Sequence, residues 1–447
     1  MSVQVASKGT EPSIPTKIDI KSNSTGKTVS LLGGFVEMTY TESIMSDSIK
    51  VNYTFIDSGQ SIDGKSVRDG LPLVGEERVT LKFEDNSGNK IGDKKELVLY
   101  VNKITPIDNQ SQKSVLNIDL VSKEYILNEK KRVKERYDGK LSEHVKKVCQ
   151  NILKTEKDLY IEETVNNLNV LGNVSKPFYF INNLARKGVS AEHQTLGKTA
   201  GYFFYETSEG FYFKSVDGLL NQEPKAKTIY NETPDTGGGG VPEGKDFKTL
   251  NYLKKDNVNV KEKMRMGALS SRMILFDPFN CYYEVKNPRT DETEGSLKTA
   301  GRDGLALKKD LRNKEFDQEG TNADFTRTTY YLLDKGSLPT GDTDQQISKS
   351  EEENYTYADI TNQAFMRYNQ FFSSMADITI PGNFALHAGD MIHLDVPGLD
   401  SKKTSTPDDK DSGLYIITDI CHTISSESTF TRCNLSRDSI GRKPVSR

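Results

Sequence analysis

The residues with the clearest capacity for chemistry are four cysteines and five histidines, and their spacing argues against using it. Cys421 and His422 are adjacent, and Cys433 falls on a neighbouring predicted strand. With Cys281 they would offer the ligand types zinc prefers, but they match none of the usual ligand spacings, so ordinary buried strand residues are expected there. His144, His193, His387, His393 and His422 occupy five unrelated local settings, with no HExxH and no GxSxG. A dispersed nucleophile, base and acid therefore has no support. Glu206, Glu209, Asp408, Asp409 and Asp411 would suit a glycosidase-like carboxylate pair. In a chain with 64 acidic residues chance neighbours are common, and solvated loops are the simpler reading. The glycine run 237–240 precedes Pro242 and opens no phosphate-cradling helix. The lysine- and arginine-rich stretch Lys123–Lys147 is interleaved with glutamates, which suits a solvated helix face or an acidic protein partner better than DNA. No catalytic, cofactor-binding or metal-binding residue is assigned, and no cofactor is expected.

The bulk composition bounds what must position such residues. A chain of 447 residues suits roughly two to four domains. Apolar content of 34%, with 20 Tyr, 19 Phe and no Trp, fits β-rich domains that leave one face of each sheet in water. The net charge of −4 opposes a protein built to grip nucleic acid, which needs a concentrated cationic field. Cys149, Cys281, Cys421 and Cys433 are too scattered for a disulfide framework and are expected as reduced thiols of a protein made in a cytosol. No stretch approaches the ~18 apolar residues of a membrane span, and Met1–Lys17 holds no apolar leader segment. A soluble protein is expected.

Short apolar-alternating runs dominate the start: Met38–Thr41, Ile49–Phe55, Val79–Phe83, Leu97–Val101 and Val115–Leu120. They predict one antiparallel barrel or sandwich. Helices follow. Ser142 is the expected N-cap of a helix whose apolar face carries Leu141, Val145, Val148, Ile152 and Leu153. Ser175 and Pro177 are expected to open a second helix that Gly188 closes. Tyr202–Glu206 and Gly210–Ser215 predict a hairpin with a Glu-Gly turn. Ile360, Ala364, Phe365, Tyr368 and Phe372 mark a late helix. Residues 231–244, 287–310 and 334–353 are too polar and glycine-rich to order alone and are expected as surface loops.

The last segment repeats the first. Gly389–Val396 is similar to Gly75–Leu81, Leu414–Ile420 to Val98–Ile104, and Cys433–Ser436 to Ile118–Val121, in the same order and at a common offset. The fold class expected is mainly β with α+β: two similar antiparallel β-barrels and an inserted α+β domain. The expected domains are 1–122 for the first barrel, 123–250 for the middle domain, 251–286 with 374–440 for the second barrel, and 287–373 for loops and a helix packed on the middle domain. The strand residues expected to form the repeated, ring-building unit are Gly75, Val79, Leu81, Leu99, Val101, Ile104, Ile118 and Leu120, with Gly389, Ile392, Leu394, Tyr415, Ile417, Ile420, Cys433 and Leu435 as their counterparts.

In Tyr40–Ile44, Gly75–Val79, Arg132–Ser142, Gly201–Val216, Ile378–Ile392 and Gly413–His422, the chain resembles the baseplate hub proteins of contractile-tailed phages of the T-even type, related to the N-terminal part of type VI secretion spike proteins. The resemblance implies a homotrimeric ring with two tube-like barrels per subunit, around a channel that DNA crosses only in transit. It implies a structural, non-enzymatic symmetry adaptor in the virion tail baseplate, joining a hexameric tail tube to a trimeric central spike. The partners it implies are the tail tube protein, the spike protein and neighbouring wedge proteins, with no stable membrane association. Two other classes are a hub with its own wall-degrading activity, and a spike of a type VI or contractile injection system. The latter would normally continue into a β-helix, whereas this sequence stops at Arg447.

Overall fold

The computed structural model describes residues 10–13, 15–59, 62–91, 96–109, 113–192, 200–230, 245–255, 260–267, 270–278, 281–287, 300, 327–332, 343–344, 357–398 and 407–442. The expected loops at 231–244 and most of those at 287–310 and 334–353 lie outside these residues, as does His193.

The first strand set comprises β1 (Lys17–Lys21), β2 (Thr28–Ser30), β3 (Phe35–Ser43), β4 (Lys50–Asp57), β5 (Arg78–Glu84), β6 (Lys90–Ile91), β7 (Leu97–Asn109) and β8 (Ser114–Val121). Strict alternation builds it. In β4, Val51, Tyr53 and Phe55 point into the core while Lys50 and Asn52 face out, and in β5 Val79, Leu81 and Phe83 do the same. All pairings here are antiparallel, in the order β3-β4-β8-β7-β5-β1-β2.

The middle region contains helices α1 (Lys123–Lys130), α2 (Leu141–Lys147) and α3 (Pro177–Ala185), the small pair β9 (Arg136–Tyr137) and β11 (Val170–Leu171), and a sheet of β10 (Asp158–Ile161), β12 (Tyr202–Thr207) and β13 (Gly210–Ser215). Short helix α4 (Val216–Leu220) follows. Val145, Phe178, Ile181 and Phe213 share one buried cluster. Ser142 is not the expected N-cap. Lys140 holds that position, while Ser142 sits in the first turn and binds across to Thr164, accepting from its N–H at 3.2 Å. The α2 helix continues as a π turn over Val148–Ile152. At α3, Pro177 opens the helix as expected, but Lys176 is the N-cap. Gly188 has no positive φ. It is small because a Cβ there would lie 2.6 Å from the Tyr202 ring. The hairpin turn is Ser208-Glu209, since Thr207 pairs with Gly210.

The second strand set joins β14 (Ala226–Tyr230), β15 (Phe247–Thr249) and β16 (Asn251–Lys254) to β20 (Ser374–Pro381), β21 (Met391–Asp395), β22 (Gly413–Ser425) and β23 (Thr429–Arg437). Between them lie β17 (Arg272–Asp277), β18 (Tyr282–Lys286) and β19 (Thr328–Leu332), forming a separate sheet, and α5 (Tyr357–Phe371). Pairing runs β16-β20-β23-β22-β21-β14, antiparallel except that β14 runs parallel to β21 and to β15. The strand pair β22–β3 fuses the two sets into one 15-stranded sheet. The chain is thus mainly β with several sheets, none of them closed among the described residues.

Candidate assembly interface

The two sets correspond strand by strand: β3-β4-β8-β7-β5-β1 in the first, β16-β20-β23-β22-β21-β14 in the second. Registers give the residue match. Leu99 pairs with Val79, and Tyr415 with Ile392. Val101 pairs with Leu120, and Ile417 with Leu435. Ile104 pairs with Ile118, and Ile420 with Cys433. Leu81 and Leu394 occupy equivalent positions, both buried. Both long strands carry a β-bulge at the same place, between Val101 and Lys103 and between Ile417 and Asp419. Even the corner before them matches. The Glu77 carboxylate accepts from Val74 N at 2.7 Å, and that of Asp390 from His387 N at 2.8 Å. Gly75 and Gly389 both have positive φ. The corner registers match Gly389 to Glu76, whose φ is also positive, and not to Gly75.

The junction between the sets is built on β22. One flank pairs with β23 along almost its whole length; the other is shared, with β21 on Met391↔Ile416 to Leu394↔Gly413 and β3 on Asp419↔Ser43 to Ser425↔Glu37. Thr41 Oγ1 lies 3.8 Å from Cys421 Sγ on one face of this seam. On the opposite face His422 is fully buried, stacked on Tyr40 with ring centroids 5.8 Å apart and edge-on to Phe384. Burial holds the His422 imidazole far below its ordinary value, at about 3, so it is neutral and its Nδ1 meets Thr431 Oγ1 at 2.9 Å. Cys421 and His422 therefore point to opposite faces, and Cys281 is exposed elsewhere. Among the described residues no group of three or more His, Cys, Asp or Glu is arranged to hold a metal.

Buried charge concentrates where the sets meet the middle region. Glu42, on the inward face of β3, accepts from Tyr40 Oη at 2.5 Å, Ser208 N at 2.9 Å and Ala388 N at 3.0 Å, and faces His387 Nδ1 at 3.2 Å. Burial opposes the Glu42 carboxylate, but His387 and these donors outweigh it and hold its pKa below the ordinary value. Burial likewise opposes charge on His387, and the Glu42 carboxylate outweighs it and raises the imidazole pKa. A second clamp is Lys157, bonded to the fully buried Glu206 and 3.4 Å from Glu124. Burial disfavours the ammonium, yet the two carboxylates raise its pKa and keep it charged. Glu206 also accepts from Ile49 N at 3.1 Å, and so ties the hairpin to the first set. A third is Arg367 of α5, completely buried between Asp438 at 2.7 Å and Asp217 at 3.0 Å.

The carboxylates weighed for catalysis lie in separate settings, and only Glu206 belongs to one of these clamps. Glu206 is sealed by Lys157 and Ile49; Glu209 accepts from Tyr212 Oη at 2.7 Å; Asp408 caps its own turn, accepting from Lys410 N and Asp411 N; and Asp411 pairs with Lys254. A cleft of about 660 Å³ is lined by both cations and carboxylates, among them Arg78, Glu96, Lys123, Glu124 and Lys157, and by His387. Sequence reading missed the roles of Glu42 and Arg367, and gave His387 no partner. Two carried a signal: Glu42 is in phase with buried Met38 and Tyr40 on β3, and Arg367 with Ile360, Ala364 and Phe371 on α5.

No protein-family model matches the chain, and no curated protein sequence matches it. Solved structures do. The fold is similar to that of the tail protein from Neisseria meningitidis MC58, at 8% identity and a TM-score of 0.54, covering 94% of this chain and 96% of that one. It is similar as well to the prophage MuSo2 43 kDa tail protein from Shewanella oneidensis, at 9% identity and a TM-score of 0.51, covering 94% and 98%. The class these matches define is one of fold, shared with the two tail proteins over nearly the full length of each.

Proposed function

We propose that this chain is a structural baseplate hub of a contractile phage tail, a homotrimer that adapts the hexameric tail tube to the trimeric central spike and keeps the DNA channel aligned. The observation that carries the reading is the doubled strand set, matched in order, register and bulge and joined through β22–β3. Three copies of a doubled module offer six near-equivalent modules, so a threefold object can meet a sixfold one with repeated contacts. The strands that run from Gly75 to Leu120 and from Gly389 to Leu435 are the ring-building strands of this proposal. Each set is a tube-like barrel in this reading. Supporting it, β15 and β16 lie one residue apart against β14 and β20, at opposite ends of the second set. The middle region is the inserted domain that meets wedge proteins.

The work is geometric, with no bond made or broken. The buried Glu42, Glu124 and Glu206 support this, since they are bound by cations or N–H donors within the fold. Mass photometry of the chain co-expressed with its tube and spike proteins should give a species about three times the 50.1 kDa chain mass. A hub that remains monomeric or dimeric in assembled tails refutes the adaptor. A lytic band from the purified chain in a peptidoglycan zymogram refutes the non-enzymatic role.

A further inference from the structure

The seam inside one chain is a template for a seam between chains. β22 is paired on both flanks because β3 covers the flank beyond its bulge. Its counterpart β7 has β8 along one flank and β5 only on Leu97–Tyr100 of the other. From Lys103 to Ile107 that second flank meets no strand among the described residues. Burial follows the difference. Ile420, His422 and Ile424 are fully buried on β22, whereas Ile104 is half-buried and Pro106 and Ile107 are exposed, Ile107 at 61%. The counterpart of β3 is β16. It pairs with β20 as β3 pairs with β4, and no strand among the described residues lies on its other flank, where Leu253 is 56% exposed.

We propose that β7 beyond its bulge pairs antiparallel with β16 of a second copy of this chain, in the register that β22 and β3 use within one chain. The inference rests on the trimer reading and specifies its contact. Registers fix the match without adjustable choice. Thr105 pairs with Asn117 as Cys421 pairs with Arg432, so Thr105 stands where Cys421 stands. Thr41 pairs with Lys50, and the backbone of Lys255 bonds Met375 at the equivalent place on β20, so Lys255 stands where Thr41 stands. The observed Cys421–Thr41 neighbours thus become Thr105 of one copy and Lys255 of the next. Exposed edges invite pairing with any chain. Pro106 and the second β7 bulge, between Pro106 and Asp108, keep this edge short, and β16 is a correspondingly short partner. One internal seam and one external seam per chain, repeated three times, close a ring of six modules.

The test uses the full chain with Cys281→Ser to remove the exposed thiol. Directly opposed antiparallel residues have Cα atoms about 4.5–5.5 Å apart, within disulfide range. Thr105→Cys with Lys255→Cys should therefore link under mild oxidation and run as covalent dimers and trimers on non-reducing gels. Thr105→Cys with Asn251→Cys is four residues out of register, about 13 Å away, and should not link. In the unsubstituted protein, a mixture of ¹⁴N- and ¹⁵N-labelled chains treated with an amine crosslinker should give mixed-isotope Lys103–Lys255 peptides, a readout that no substitution can spoil. A trimer in which the 105–255 pair links no better than 105–251, or in which the Lys103–Lys255 peptides come only from single chains, overturns the seam and leaves the trimer standing. Absence of any trimer overturns both.

Discussion

Glu42 offers the sharpest test of how the two sets are held. Its carboxylate receives three hydrogen bonds and faces His387, from buried positions on β3 and the corner before β21 and from the half-buried hairpin turn at Ser208. Glu42→Ala strands Tyr40 Oη, Ala388 N and His387 in the interior. Removing one partner of a buried pair costs about 3–5 kcal/mol. At roughly 2–4 °C per kcal/mol for a cooperative unit of about 150–250 residues, the melting temperature should fall by about 6–20 °C. Glu42→Gln keeps the shape and loses the charge, so it should cost less, about 1.5–3 kcal/mol. The pH dependence separates charge from packing. Glu42 has a lowered pKa, so its contribution is present above the unfolded value near 4.5 and is lost as pH falls through the folded value. His387 has a raised pKa, so its contribution is present below 6.5 and is lost as pH rises through the folded value. The pair therefore stabilises most between these limits. In Glu42→Gln the imidazole loses its anion, and the decline above pH 6.5 owed to this pair disappears. Thermal melts of the three proteins from pH 4 to 8 measure this. A Glu42→Gln curve parallel to the unsubstituted protein at every pH, or a Glu42→Ala protein melting within a degree of it, refutes the reasoning.

Lys157→Met should orphan the buried Glu206 and destabilise by about 3–5 kcal/mol, and adding Glu206→Gln should recover part of the loss in urea titrations, because the stranded charge is gone. At Gly389, φ is +87° and a Cβ would lie 2.2 Å from Tyr205 Oη; at Gly75, φ is +114° and the nearest atom is Val101 O at 4.0 Å. Gly389→Ala should therefore add an overpacking cost of about 1–3 kcal/mol to the backbone strain both carry, and equal losses from the two substitutions in the same titration would count against this account.

The strands of both sets were readable because residues such as Val79, Leu81, Ile118 and Leu120 alternate with polar neighbours on half-buried sheets, where period two is the dominant signal. The repeat was readable for the same reason, down to Val101 against Ile417. What was not readable is which edges meet. β3 and β22 are separated by almost the whole chain, and nothing local in Tyr40 or His422 encodes their stacking. β16 is a four-residue strand whose pattern is too short to stand out. The buried charges escaped because Glu, Lys and Arg are ordinarily read as surface. Ser142 failed as a cap because Thr164, supplied by a distant segment, offered its hydroxyl and N–H a better partner.

The position of Glu42 also bears on why the junction tolerates a buried ion pair. Apolar contacts alone set register weakly when neighbouring positions are similar, and a one-residue slip of β3 along β22 would turn Met38 and Tyr40 from the core to the outside. A carboxylate in phase with them adds a penalty that apolar packing cannot. After such a slip it would leave His387, Ser208 N and Ala388 N unsatisfied together, since all three converge on one carboxylate in one register. Aliphatic replacements of similar volume can match its stability but do not make that distinction, so Glu42 acts as a register pin. A subunit that has to present two modules at a fixed angle needs that discrimination at its internal seam, where a slip would move one whole module relative to the other. On the counterpart edge, Ile104 and Pro106 of β7 stand where Ile420 and His422 meet Glu42 and Tyr40, so the place of the β3 carboxylate falls to the strand that pairs with β7. In the proposed ring a seam between chains has a further constraint, because closure would fix the register of all three copies at once.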